Sequence, residues 1–282
     1  MKLMSATIFD SRPLMERLTR ELQNEAAQFR KQYRRSPRLA QIIVGHDAAA
    51  EVYSRQLIRS CQQIGLGCAT LAYPFEISED ELRAEVATLN NNEHTDGVVL
   101  LLPLPEHIRQ RVVTDVLAPE KDVDGLGSRN AGNLSLGFPS FIPSTADAVL
   151  TVLRETGLPV AGRHAVVVGR SNVGGKPIGL VLLRQDATVT ICHSHTRDLA
   201  SITRSADILV ISIGRPHSIT ADMVKPGAIV LDAGINPVNG TVVGDVDFAA
   251  VREVASFLTP VPGGLGPLTR MMLIRHTLIG PQ

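Results

Sequence analysis

The chain has 282 residues, 44% hydrophobic and 20% charged, with 28 Lys plus Arg balancing 28 Asp plus Glu. That length and apolar content support one large or two medium folded domains and exclude a disordered polypeptide. Zero net charge with no concentrated basic stripe argues against nucleic acid or an anionic membrane and for a small ligand.

Met1 to Asp10 lacks the charged-then-apolar pattern of a signal peptide, and the most apolar run, Val98 to Leu102, is too short to span a bilayer. A soluble, cytoplasmic protein is expected. Leu18, Leu22, Ala26 and Phe29 recur at helical spacing, and the short run Leu39 to Val44, ending at Gly45, reads as a buried strand. A helix over Glu51 to Ile64 and a strand over Cys68 to Tyr73 follow. Ser78 with Glu81 three residues on has the spacing of a capping box and opens the next helix. Val98 to Leu104 reads as a strand and Glu106 to Leu117 as a helix. Such alternation implies a mostly parallel sheet with right-handed crossovers.

Ala118 to Pro143 is rich in Gly, Asn and Pro with little apolar periodicity, and reads as a boundary region. A helix starts near Ser144, then strands at His164 to Val168, Thr188 to Cys192, Ile208 to Ile213 and Ala228 to Asp232 alternate with helices. The expected fold is α/β in two lobes: a parallel-sheet N-terminal catalytic domain (1–143 plus 265–282) and a Rossmann-like domain (144–264), with a ligand cleft between them. The three cysteines, Cys61, Cys68 and Cys192, have neither disulfide-framework nor zinc-ligand spacing and read as small apolar residues; no metal site is expected.

Val166 to Gly169 runs into Arg170, Ser171, Asn172, Val173, Gly174, Gly175, Lys176 and Pro177, and then an apolar helix. A strand ending in a glycine turn at a helix N-terminus offers backbone N–H groups and a positive dipole end to a phosphate. The spacing is not G-x-G-x-x-G, so a plain tight turn stays open as a reading. In NAD-preferring folds a carboxylate about 20 residues on binds the ribose 2′-hydroxyl. Here the second strand ends in His193, Ser194, His195 and Thr196. A 2′-phosphate meets no repulsion there and has Arg170 as a charged, multi-donor partner, which favours NADP.

Four segments together carry a resemblance: Asp96-Gly97-Val98-Val99-Leu100-Leu101-Leu102-Pro103-Leu104-Pro105, Pro119-Glu120-Lys121-Asp122-Val123-Asp124-Gly125, Gly169 to Pro177, and Thr259-Pro260-Val261-Pro262-Gly263-Gly264-Leu265-Gly266-Pro267-Leu268-Thr269. In this order they closely resemble the methylenetetrahydrofolate dehydrogenase/methenyltetrahydrofolate cyclohydrolase family. The resemblance implies a homodimer that oxidises the one-carbon bridge of methylenetetrahydrofolate with NADP and then hydrolyses the methenyl product. It makes Tyr53 the aromatic that stacks on the folate and Asp124 the carboxylate on the pterin, which can accept two side-by-side hydrogen bonds. Without it, Tyr53 reads as a helix-face core residue and Asp124 as a turn residue. Pro262, Gly263 and Gly266 are expected to approach the substrate, and Gly169, Arg170, Ser171, Gly174, His193, Ser194, Gly214 and Thr269 the cofactor.

The chain departs from the family where the family has a lysine four residues after the tyrosine and a glutamine before Leu-Pro-Leu-Pro: Leu57 and Leu101 stand there. Ala48 and Ala50 likewise replace a common proline and serine. Position 57 lies about 40° around the helix from Tyr53, sharing its surroundings. Hydride transfer needs alignment of two bound molecules and no obligatory protein acid or base. Hydrolysis of the methenyl cation needs a positioned water and proton transfers, which in the family fall to the lysine and its partner. Leucine does neither, and loss of both polar groups strands neither. The leading expectation is a dehydrogenase with weak or absent cyclohydrolase activity. The alternatives are a bifunctional enzyme in which Gln56 orients a water, a non-catalytic folate- or NADP-binding relative, and an enzyme for an altered pterin-linked substrate.

Overall fold

A computed structural model describes residues 5–157, 160–238 and 240–280. Met1 to Met4, part of the stretch read for a signal peptide, lie outside them. The elements run β1 (Thr7–Ile8), α1 (Arg12–Tyr33), β2 (Arg38–Val44), α2 (Ala48–Ile64), β3 (Gly67–Tyr73), α3 (Glu79–Asn90), β4 (Gly97–Leu100), α4 (Gln110–Thr114), α5 (Ser128–Leu136) and α6 (Ser144–Glu155). Then come β5 (His164–Val168), α7 (Gly175–Leu183), β6 (Thr188–Cys192), α8 (Leu199–Thr203), β7 (Ile208–Ile211), β8 (Ile229–Asp232), β9 (Asn236–Val238), β10 (Thr241–Val243), α9 (Phe248–Val251), β11 (Phe257–Leu258) and α10 (Leu265–Ile279). They form two compact units, Leu14–Ser144 with Arg270–Gln282, and Met1–Pro13 with Thr145–Thr269.

The first unit is built on a three-stranded parallel sheet, β3-β2-β4. Alternation along β2 splits its side chains between two faces. Ala40, Ile42 and Val44 pack with Leu82, Val86 and Leu89 of α3, with Val98 and Leu100 of β4, and with Ile108 and Val113. The other face carries Leu39, Gln41 and Ile43, and α2 lies on it: Gln41 Nε2 donates to Ser54 Oγ at 2.8 Å. Asp47 caps α2 by accepting from Ala50 N at 2.8 Å, so the helix starts before the expected Glu51. Ser78 and Glu81 make both bonds of the capping box on α3.

Three expectations for this unit need correction. The strand expected over Val98 to Leu104 stops at Leu100, because Pro103 and Pro105 have no N–H for a ladder. The helix expected over Glu106 to Leu117 is only α4, its start held back by Arg109, whose N–H and guanidinium bond Glu79. Ala118 to Pro143 is an ordered part of one unit, where the Asp122 carboxylate accepts from Leu126 N, Gly127 N and Asn130 Nδ2 at 3.1, 2.8 and 3.0 Å.

The second unit has a six-stranded parallel sheet in the order β1-β11-β8-β7-β5-β6. Its apolar interior includes Val166, Val168, Leu209, Ile211, Val230 and Leu258. Residues 5–13 belong here, contrary to the expected boundary, since β1 pairs with β11 in parallel and Ala6 N donates to Arg252 O at 2.7 Å. A two-residue strand is too short to announce itself by periodicity. The later boundary also moves, from 264/265 to between Thr269 and Arg270.

Candidate functional site

In the six-stranded sheet β5 has β6 on one side and β7 on the other, so the connections leaving β5 and β7 diverge at its carboxyl end, a topological switch point where α/β sheets bind ligands. The Gly169 to Gly175 turn sits there. Gly169 has φ +134°, and a Cβ on it would lie 2.3 Å from Ser212 O. At Gly175 a Cβ would meet Gly169 O at 2.1 Å, so only glycine lets α7 start this close to the strand. Ser171 Oγ accepts from Gly174 N at 3.0 Å, while no side chain caps the first turn of α7. Arg170 and Ser171 are exposed.

The parallel pairing Val168↔Cys192 brings His193 and Ser194 beside Gly169, whose N–H donates to Cys192 O at 2.9 Å. The first carboxylate beyond this strand end, Asp198, accepts from Ser201 N as the cap of α8. Gly214 lies in the turn after β7 with φ +64°. That turn is held by a residue the sequence reading missed. Fully buried Asp245 accepts from Ile213 N and Gly214 N with Oδ2, at 2.8 and 3.0 Å, and from Arg215 N with Oδ1 at 2.7 Å. A glycine turn and an N-terminus without a side-chain cap fit a dinucleotide's pyrophosphate, and Arg170 with Ser194 fits an additional phosphate.

Pro262, Gly263, Gly266 and Thr269 belong to this same unit rather than to that of Tyr53 and Asp124. Gly263 O accepts from Ser11 Oγ at 2.6 Å, and Thr269 Oγ1 donates to Gly266 O at 2.8 Å, so this hydroxyl braces its own loop.

In the other unit the carboxyl end of the three-stranded sheet gathers the remaining candidates. The parallel bridge Val98↔Asp122 sets Asp124 alongside the end of β4, where Leu101 extends the ladder by donating its N–H to Ile42 O at 2.9 Å. Gly125, with φ +61° and a Cβ position 2.3 Å from Phe141 O, forms the turn that presents Asp124. Asp124 Oδ1 accepts from Ser144 N and Oγ at 3.0 and 2.6 Å; among the described residues no hydrogen bond goes to Oδ2. Burial raises its pKa above the usual carboxylate value, against the pull of the Ser144 bonds and His276. In the sequence Ser144 marks only a helix start.

On α2, Tyr53 is half-buried, Gln56 exposed and Leu57 fully buried at 0% exposure. Leu101 is also buried. By strand register Gln41 pairs with Val99, so Leu101, two residues on, faces the side of the sheet that α2 covers. Gln41 adds a polar group on that face: Nε2 bonds Ser54 and Thr70, while Oε1 is buried with no hydrogen-bond partner among the described residues. One polar residue inside the apolar run 39–44 was the available signal. Gln56 Oε1 accepts from Arg270 Nη1 at 3.0 Å, so the amide expected to orient water is held by a cation. Cys61 and Cys192 are buried and Cys68 is half-buried, all as free thiols.

Sheet order and glycine turn define an α/β protein of the dinucleotide-binding class. Residues 9–124 match the family model described as tetrahydrofolate dehydrogenase/cyclohydrolase, catalytic domain, and residues 143–281 match that family's NAD(P)-binding domain. The bifunctional protein FolD of Chloroflexus aurantiacus is 48% identical over 276 residues, 98% of this chain and 97% of that one. The crystal structure of the Campylobacter jejuni bifunctional methylenetetrahydrofolate dehydrogenase/cyclohydrolase superposes with TM-score 0.93 at 36% identity, covering 98% of both chains. The Trypanosoma brucei enzyme, solved with NADP cofactor and an inhibitor, has TM-score 0.93 and 35% identity over 98% of this chain and 97% of that one. This chain belongs to the tetrahydrofolate dehydrogenase/cyclohydrolase family.

Proposed function

We propose that the chain oxidises 5,10-methylenetetrahydrofolate to the 5,10-methenyl form with NADP and hydrolyses that product slowly or not at all. Tyr53 stacks on the folate, and Asp124 accepts the paired N–H groups of the pterin edge with its two oxygens, Oδ1 being steadied by Ser144. The Gly169 to Gly175 turn receives the pyrophosphate, and Arg170, Ser171 and Ser194 receive the 2′-phosphate. NADP, when bound, accepts the hydride. The substrate's own nitrogen lone pair stabilises the methenyl cation, so the protein's task is alignment. The protein acts as a homodimer, as the family resemblance implies.

The observation that carries the weak-hydrolase half is the burial of Leu57 at 0% and Leu101 at 5% exposure. Neither side chain donates, accepts or moves a proton, and the nearby amide of Gln56 is engaged by Arg270. The test follows NADPH and methenyl absorbance together at a pH where spontaneous hydrolysis is slow. The expected result is that both chromophores accumulate in parallel. Strong enzyme acceleration of methenyl decay would overturn the weak-hydrolase reading, and absence of NADPH formation would overturn the dehydrogenase.

A further inference from the structure

Arg270 stands in the first turns of α10, directly after the Gly263 to Thr269 motif, and falls in the same unit as α2. Its guanidinium reaches across to α2, where Nη1 donates to Gln56 Oε1 at 3.0 Å. Gln56 is three residues from Tyr53, so the two neighbour each other on the α2 surface. Arg270 and Tyr53 also interact electrostatically, and burial opposes the arginine's charge. A part-buried guanidinium is costly to hold in place, and a surface arginine serving only solubility would stay in water. This one is laid between two helices beside the aromatic assigned to the folate. Positions 57 and 101 are apolar, and Arg270 brings to this end of α2 a multi-donor group that stays protonated and so is not a general base.

Resting on the folate reading above, we propose that Arg270 is a substrate-binding residue whose guanidinium, oriented by Gln56, bonds an oxygen acceptor of the folate's aminobenzoyl-glutamate portion as that portion lies on Tyr53. Two acceptors share this chemistry, the benzoyl carbonyl and the glutamyl carboxylates. An arginine there supplies a charge-assisted hydrogen bond and orientation without supplying proton transfer, and so aids the oxidation while leaving hydrolysis unassisted.

The experiment compares wild type, Arg270→Met, Arg270→Lys and Gln56→Ala by titration with tetrahydrofolate and with tetrahydropteroate, which lacks the glutamate, and by steady-state oxidation of methylenetetrahydrofolate. NADP titration reports on the integrity of the other unit, and circular dichroism on folding. Arg270→Met is expected to weaken tetrahydrofolate about 10- to 100-fold, the usual loss for a hydrogen bond to a charged group. The effect should fall mainly on KM, with NADP affinity unchanged. Arg270→Lys should recover part of the loss because it keeps the charge, and Gln56→Ala should cost less than Arg270→Met because it removes only the orienting partner. A loss that disappears with tetrahydropteroate assigns the carboxylates, and one that persists assigns the carbonyl; either supports the proposal. Should Arg270→Met misfold, Arg270→Lys with Gln56→Ala carries the test. Tetrahydrofolate affinity and KM unchanged within twofold in folded Arg270 variants would overturn the inference alone, whereas a wild type that binds no tetrahydrofolate would overturn the folate reading with it.

Discussion

The turn assigned above to the cofactor and the end of α2 assigned to the folate are made of different material. At the turn, geometry is set by backbone: Gly169 and Gly175 leave no room for a Cβ, and Asp245 fixes residues 213–215 through their N–H groups. At the end of α2 the chemistry is carried by side chains: Tyr53, Gln56 and Leu57 on α2 and Arg270 on α10. A backbone-made site tolerates little, because a changed residue breaks the shape. A site made of side chains can change its chemistry with the fold intact, as proposed for positions 57 and 101.

The sharpest way to break that contrast is Gly175→Ala. Its Cβ would sit 2.1 Å from Gly169 O, a backbone atom with no flexible end to move. A loss of about 3 kcal/mol or more and loss of NADP binding are expected, read by thermal melting and cofactor titration. A variant with unchanged melting would show that the turn is not backbone-limited.

Next in size is Asp124→Ala, which should cost folate binding roughly 2–5 kcal/mol while leaving NADP affinity unchanged. Near-normal tetrahydrofolate affinity would contradict the pterin role. The same residue predicts a pH dependence. Its pKa is raised by burial, so its contribution to stability is fully present below the ordinary carboxylate value and lost as pH rises through the raised one. Binding runs the other way, because accepting two N–H groups needs the carboxylate. Tetrahydrofolate affinity should therefore fall as pH drops through the raised value, beginning at higher pH than for an exposed aspartate, and Asp124→Asn should flatten this profile. Equal pH profiles for wild type and Asp124→Asn would remove the carboxylate from the interaction.

A smaller effect is expected at Arg170, where exposed guanidinium meets a ligand phosphate. Arg170→Ala should weaken NADP by about 1.5–3 kcal/mol and NAD far less, since only the first loses a charge-assisted contact. Titration of both cofactors with both proteins decides it; equal losses would place the 2′-phosphate elsewhere.

The same contrast governs what could be read from sequence. The β5 turn was legible because glycine at a close approach has no substitute, and α3 because Ser78 and Glu81 satisfy each other locally. The segment after Ala118 looks like a boundary in sequence because its order comes from the Asp122 carboxylate gathering N–H groups, an arrangement with no hydrophobic period. Asp245 and Arg270 were invisible for a related reason. Each acts on residues far away in sequence, 213–215 and 56, and nothing local marks the partnership.

The smallest effect, and the one most specific to this chain, concerns rebuilding the pair. Leu57 is fully buried, so Leu57→Lys places an ammonium among apolar atoms, gives up about 1.5–3 kcal/mol of side-chain burial and lowers the lysine's pKa. Ser54, one turn earlier, is already bonded by Gln41. Leu101→Gln faces the same side of the sheet and offers an acceptor, so the double change should recover measurable cyclohydrolase activity, with each single change recovering less. Methenyl decay across the four proteins measures it. The Gln41 Oε1, buried with no partner among the described residues, sharpens the outcome. If Leu57→Lys alone matches the double variant, that oxygen is already serving as the lysine's acceptor, and Leu57 alone rather than the pair limits hydrolysis. If only the double variant gains activity, the two leucines act as one unit, and the weak hydrolysis proposed above follows from that pair.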